Sequence, residues 1–268
     1  MIELPETYVL AEQINRTLIG KTIKTTITNA HPHSFAFYSG DHVAYGAMLE
    51  NKPIVSANPN GGYTEILCGD MLLKISTPIK YHAKGEKLPK SHQLLLGLDD
   101  DTFVSCTVQM WGNMFCEPAA NSTEGIVKPS PLEDAFDEAY WDEFLQSEKP
   151  NLSMKALLAT EQRIPGLGNG VLHDILFNAK LHPKRKLETL SDNDKGGLFI
   201  AVKSTLKAMR DGGGRDTEKD LFNKGGGYQT ILSANSWKRS GACSVCVGDL
   251  VKASYMGGAI YYCPTCQV

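Results

Sequence analysis

The strongest constraint on how this chain folds lies in its last 26 residues, Cys243-x2-Cys246-x16-Cys263-x2-Cys266. Two short knuckles each offer a pair of thiolates, and a hairpin between them folds the pairs together so that four sulfurs surround one Zn²⁺ tetrahedrally. Paired knuckles match a closed structural site better than a thioredoxin-like redox site. The metal then supplies folding free energy to a segment too small to own a core. The other three cysteines, Cys68, Cys106 and Cys116, are scattered through strand-like sequence and read as buried small hydrophobes.

A length of 268 residues, at roughly 150 per domain, predicts about two domains. The chain opens with Val9, Leu10, Ile14 and Leu18 at helical spacing before Gly20, an amphipathic helix with a glycine stop. From Thr22 to about Cys116 the pattern changes to short β-rich runs: Thr22 to Thr28, Ser34 to Tyr38, Tyr63 to Leu67, Met71 to Ser76, His92 to Leu98 and Thr102 to Met110. Turns such as Asn58-Pro-Asn-Gly-Gly62 separate them, which predicts a sandwich or barrel behind one helix. A polar, proline-bearing stretch, 121–131, leads into an acidic helix from about Leu132 to Leu145. Helical runs follow at Met154 to Arg163, Val171 to Ala179 and Asp192 to Arg210, the last capped by Ser191 and stopped by Gly212-Gly-Gly214. Gly225-Gly-Gly-Tyr228 reads as a flexible loop.

The net charge of −3 is unlike the basic excess of most nucleic-acid binders, but it conceals a split. Residues 1–150 carry 11 Lys and Arg against 20 Asp and Glu, whereas residues 151–268 carry 16 against 10. Such asymmetry suggests an anionic partner for the second half. The acids Glu133, Asp134, Asp137, Glu138, Asp142, Glu143 and Glu148 crowd one short segment and read as a solvated helix face or linker. No stretch reaches the ~18 consecutive apolar residues of a membrane span, and Glu3, Glu6 and Glu12 make the N-terminus too acidic for a signal peptide. A cytoplasmic protein is expected, nucleoid-associated in a prokaryote.

Thr160-Glu-Gln-Arg-Ile-Pro-Gly-Leu-Gly-Asn169 separates two apolar-periodic segments. Gly168 allows a tight turn and Asn169 is placed to cap the next helix. A helix start preceded by glycines presents backbone N–H groups that suit a phosphate, with Lys155, Arg163 and the run Lys180, Lys184, Arg185, Lys186 nearby. A plain capped helix-turn-helix fits the same residues.

Together these segments resemble the formamidopyrimidine-DNA glycosylase / endonuclease VIII family of base-excision repair proteins, over nearly the whole chain. Glu3-Leu-Pro-Glu6 matches the family's opening motif. The stretches from Lys155 to Asn169 and from Asp174 to Pro183 look like its helix-two-turn-helix, and Gly257 to Gln267 looks like its zinc-finger hairpin. The resemblance implies an α+β fold: an N-terminal helix plus β-sandwich domain (1–131), a C-terminal helical, helix-two-turn-helix domain (132–235) and a zinc-finger β-hairpin (236–268). It also implies a structural Zn²⁺ on Cys243, Cys246, Cys263 and Cys266, a monomer, and double-stranded DNA, damaged or abasic, as partner. Glu3 and Glu6 match the family's acid/base candidates, although Glu3 equally suits a helix start as a dipole-favourable acid. Lys155 and Asn169 match family phosphate contacts, with Gly168 beside them.

Several family positions are altered. The family chain begins at a proline whose secondary amine attacks C1′ of the damaged nucleotide; here Ile2 stands there, and retention of Met1 before so bulky a residue is expected. The family lysine falls on or near Gly62, and the hairpin arginine on Gly258. Of the side chains that fill the gap left by an extruded base, arginine falls on Gln109, phenylalanine on Trp111 and methionine near Thr77. Trp111 fits stacking in a duplex and a core or surface aromatic equally. Three readings follow: a binder of damaged or abasic DNA without the family's chemistry, an active glycosylase and abasic-site lyase using a primary N-terminal amine, and a zinc-stabilised interaction module.

Overall fold

The computed structural model describes residues 2–122 and 128–268, so the expectation for Met1 lies outside the described residues. The chain divides into two compact units, Met1–Val127 with Gly213–Gly227, and Lys128–Gly212 with Tyr228–Val268.

The first unit begins with α1 (Leu4–Thr17), whose apolar stripe Leu10, Ile14 and Leu18 is buried as its spacing predicts. Its strands are β1 (Ile23–Thr28), β2 (Ala36–Tyr38), then after a short helix α2 (Tyr45–Leu49), β3 (Ile54–Asn60), β4 (Tyr63–Cys68), β5 (Met71–Ile75), β6 (Ile79–His82), β7 (Leu94–Leu98), β8 (Phe103–Cys106) and β9 (Gly112–Pro118). They form a four-stranded sheet in the order β1-β7-β8-β6 and a five-stranded sheet in the order β2-β9-β5-β4-β3. Both contribute to one core with α1: Ile23, Leu96 and Val104 from the first sheet, Ile66, Leu73 and Met114 from the second. This is the sandwich arrangement, in which alternating inward residues of two sheets share one interior. Cys68, Cys106 and Cys116 are buried in it, and burial pushes the Cys68 and Cys116 thiols up to about 12, far from reactivity.

Four strands depart from the sequence reading. Asn58-Pro59-Asn60 lies within β3 rather than in a turn, because β3 is an edge strand where proline's missing N–H leaves no ladder bond unmade. The run from Thr102 to Met110 stops at Cys106, and β6 and β9 were not expected.

Segment 213–227 is tied to this unit rather than loose. Leu221 is fully buried, its N–H donates to Gln13 Oε1 at 2.9 Å, and its carbonyl accepts from Tyr81 N at 2.8 Å. Asp220 accepts from Lys224 N at 2.7 Å and from Gln13 Nε2 at 2.9 Å. Gly226 donates to the Arg215 carbonyl at 3.1 Å, and a Cβ there would lie 2.1 Å from the Gly214 carbonyl, so only glycine fits.

The second unit holds α3 (Glu138–Ser147), α4 (Met154–Ala159), α5 (Asn169–Asn178), α6 (Asp192–Asp211), α7 (Ala234–Arg239) and the hairpin β10 (Val251–Tyr255) with β11 (Gly258–Tyr262). The acidic helix starts later than its composition suggests, because Asp137 caps it by accepting from Tyr140 N at 2.8 Å. It buries Trp141, Phe144 and Leu145 while Glu138, Asp142 and Glu143 stay exposed, the solvated face expected. Ser191 caps α6 in a reciprocal capping box with Asp194. The expected run to Arg163 stops at Ala159, since Glu161 and Gln162 take φ of 56° and 49°. Among the described residues no helix is long and apolar enough to cross a membrane.

Candidate functional site

At the start of α1, Glu3 takes an extended N-cap conformation and shares a capping box with Glu6. Burial follows from this: Glu3 is 8% exposed and Glu6 3%. Buried carboxylates need partners, and segment 213–227 supplies one in Arg215, itself 2% exposed. Arg215 Nε and Nη2 donate to Glu6 Oε1 and Oε2 at 2.9 and 2.7 Å, and Arg215 N donates to Oε1 at 3.2 Å. Glu3 N donates to Oε2 at 3.3 Å. Four donors thus meet the four acceptor positions of one carboxylate. Arg215 Nη1 also lies 3.4 Å from Glu3 Oε2, and Nη2 4.0 Å from Glu218 Oε1. Sequence reasoning missed Arg215 and Glu218. The available signal was a lone arginine directly after a three-glycine run, which locally looks like any solvated loop residue.

In the second unit, Lys155 on α4 and Asn169 at the first turn of α5 converge on the hairpin. Lys155 is 3% exposed, donates from Nζ to the Tyr255 carbonyl at 2.7 Å, and its pKa is lowered by burial. Asn169 is not the N-cap. Gly168 takes that position, and Asn169 Nδ2 turns instead to the Ala259 carbonyl at 2.9 Å, while its buried Oδ1 has no hydrogen-bond partner. Gly258 makes this closure possible. A Cβ on it would stand 3.0 Å from Asn169 Nδ2 and 3.5 Å from Lys155 Nζ. His173, one turn along α5, packs edge-on against Tyr261 and is held neutral by burial, with its pKa lowered to about 4.

The hairpin also carries the cysteines. Their four sulfurs lie within 4.8 Å of one another, with Cys243 to Cys266 at 3.8 Å and Cys246 to Cys263 at 3.4 Å. A tetrahedral centre with metal–sulfur bonds of about 2.3 Å requires sulfur–sulfur edges of about 3.8 Å, so the cluster has the dimensions of a single-metal site. Val245 N and Cys266 N each donate to a cysteine sulfur at 3.4 Å, orienting the thiolates.

No family model matches the chain. Over its full length it is 28% identical to the formamidopyrimidine-DNA glycosylase of Carboxydothermus hydrogenoformans across 275 residues, and 26% identical to that of Cytobacillus firmus across 278, each relative being covered completely. Its fold superposes on the Lactococcus lactis Fpg in complex with DNA containing an abasic site with a TM-score of 0.85, at 20% identity and 99% coverage of both chains. The MutM (Fpg) protein of Thermus thermophilus gives a TM-score of 0.81 at 20% identity, covering 99% of this chain and 98% of that one. Over its whole length the chain is similar to formamidopyrimidine-DNA glycosylases and has their fold.

The positions at which the sequence departs from the resemblance have the following surroundings. Ile2 is 1% exposed within the sandwich core and its nitrogen donates to the Ser76 carbonyl at 3.3 Å. Gly62 follows Gly61 in the β3–β4 turn, and the nearest lysines in sequence, Lys52 and Lys74, are paired with Asp70 and Glu117. Thr77 is fully buried and donates to the Thr107 carbonyl at 2.9 Å, so it cannot enter a duplex. Trp111 is 43% exposed and packs edge-on against the exposed Phe37 at 6.1 Å, beside exposed Met110 and Phe35. Of the three positions that the resemblance assigns to gap filling, Trp111 carries an exposed aromatic ring, Gln109 is exposed and Thr77 is buried.

Proposed function

We propose that this chain binds double-stranded DNA at damaged or abasic sites and does not cleave it by the proline-initiated route of its family. The observation that carries the reading is the seat at the start of α5. A buried ammonium that makes one hydrogen bond, to Tyr255, keeps two N–H groups for an anion, next to a glycine-led helix N-terminus. The desolvation that lowers the Lys155 pKa also strengthens its attraction for a phosphate, because little water competes there. Exposed Trp111 adds an aromatic face on which a base can stack.

The absence of family-type cleavage is supported by Ile2. The family reaction needs a free secondary amine, whose pKa near 8 leaves a useful neutral fraction at pH 7. The Ile2 nitrogen instead lies within the fold as a hydrogen-bond donor. Glu6, its acceptor positions filled by Arg215 and Glu3 N, serves the fold, and Glu3 shares the same arginine. The four cysteines fit Zn²⁺, which would act structurally by closing the hairpin that carries Gly258 against Lys155 and Asn169.

The test is a gel shift on a duplex carrying an abasic site, run beside borohydride trapping. A salt-sensitive shift without a covalent adduct is expected. An adduct lost on blocking the N-terminus would replace this reading with a primary-amine lyase. No shift at any ionic strength would leave a zinc-stabilised interaction module.

A further inference from the structure

On the second unit, α6 carries an apolar side chain that its own fold leaves uncovered: Ile200, near mid-helix, is 64% exposed, while Phe199 beside it is buried. A lone exposed isoleucine is ordinary on a protein surface. Here, however, two grooves meet at it, and Phe199 and Ile200 line both. One, of about 410 Å³, follows the C-terminal half of α6 and takes Pro131 and Leu132 from the preceding segment. The other, of about 320 Å³, follows the N-terminal half and includes Trp141 of α3.

The two grooves differ in charge. Along the first, α6 presents Lys203, Lys207 and Arg210, with Glu133 and Asp134 contributed by the segment before α3. Lys203 donates to the Glu133 and Phe136 carbonyls at 3.1 and 2.6 Å, which leaves its positive charge in place, and Lys207 and Arg210 share one anion, Asp211. The second groove is lined by Glu138, Asp142 and Asp192, and its Lys195 is paired with Asp192 at 3.0 Å. Glu138 and Asp142 are exposed and form no ion pair among the described residues. Gly196 and Gly197 lie on the same exposed face of α6. Adjacent glycines are unfavourable inside a helix relative to alanine, yet a Cβ on either would meet nothing within 4 Å. The space they leave lies outside the unit, where it lets a second helix approach closely.

We propose that two copies of this chain associate through this face about a two-fold axis beside Ile200, with their α6 helices antiparallel. Such an axis exchanges the halves of the helix, so the cationic groove of each copy lies on the acidic groove of the other. The two Ile200 side chains then cover one another. Parallel helices would instead set like charge against like. An unrelated protein need not carry this pattern, whereas a second copy always presents it. Trp141 Nε1 donates to the Lys195 carbonyl at 3.2 Å, which sets its neighbour Asp142 on the N-terminal side of Ile200, as Lys207 stands on the C-terminal side. The inference is independent of the DNA-binding reading, which uses other elements.

The experiment is sedimentation velocity of the full chain from micromolar to near-millimolar concentration, at low and high salt. The mass is expected to rise from one chain to two, with the association weakened by salt. Ile200→Glu, at an exposed position, should keep the parent's thermal melt and remain a single chain throughout. Asp142→Lys and Lys207→Glu should each weaken the dimer about tenfold or more, because symmetry sets the like-charge contact twice in every dimer. Combined in one chain, the two reversals should restore association, since opposite charges face one another again. The resemblance implies a monomer, and a single-chain mass at every concentration overturns the proposal. So does a dimer that Ile200→Glu leaves intact, or a double reversal that associates no more tightly than either single one.

Discussion

Arg215 and Glu6, 209 positions apart, form a two-pronged buried ion pair in which Nε and Nη2 meet the two carboxylate oxygens at 2.9 and 2.7 Å. Breaking such a pair from one side leaves an uncompensated buried charge. Arg215→Ala is expected to cost about 3–5 kcal/mol of stability, measured by urea unfolding at pH 7. A loss below about 1 kcal/mol would mean that water replaces the guanidinium and that the cluster is far more open than its burial indicates.

Lys155→Ala should weaken DNA binding uniformly across sequences and reduce the slope of log affinity against log salt by about 1. Affinity measured by fluorescence anisotropy at several salt concentrations gives the slope. An unchanged slope would show that Lys155 serves only to hold the Tyr255 carbonyl.

Trp111→Ala removes a half-exposed ring, so stability should change little while duplex affinity falls by about 1–3 kcal/mol, the usual worth of one base–aromatic stack. The variant is read by gel shift together with a thermal melt. Equal affinity would assign the ring to surface packing against Phe37.

The His173 imidazole is buried neutral, its pKa lowered to about 4 by desolvation and by nearby Lys155. Unfolding exposes it to an ordinary value near 6.5, so between about pH 6.5 and 4 the unfolded state binds the extra proton. Its contribution is therefore complete above about pH 6.5 and is lost as pH falls through this window, by about 3 kcal/mol in all. Urea midpoints of the parent and His173→Gln at pH 7 and pH 4.5 measure this. The parent should lose more stability than the variant on acidification, and parallel losses would place the acid sensitivity elsewhere.

Metal analysis of the purified protein should find one zinc per chain. Chelation, or Cys263→Ser, should remove hydrogen-exchange protection from Val251–Tyr255 and Gly258–Tyr262, because the hairpin's small apolar cluster is built around the cysteines themselves. Retained protection in metal-free protein would show that the hairpin stands without its metal.

The features legible in the sequence are those in which a few neighbouring residues suffice. The Cys-x-x-Cys knuckles, the apolar stripe of α1, the Ser191 cap and the motifs that mark the family each act over a turn or two of chain. Tertiary structure decided what depends on the path between distant segments. Pro59 could lie in a strand only because that strand is at an edge. Asn169 gave up the expected cap because Gly258 lets the hairpin approach within reach of its amide. The charge split was redistributed as well: with the acidic α3 segment included and 213–227 excluded, the second unit carries 15 Lys and Arg against 14 Asp and Glu. A basic half thus becomes a nearly neutral unit with a localised cationic seat. Most consequentially, Arg215 reads as a solvated loop residue until the fold carries it to Glu3 and Glu6. Composition and spacing describe what each segment can bury, but the partner of a buried charge is chosen by the fold that brings the two together.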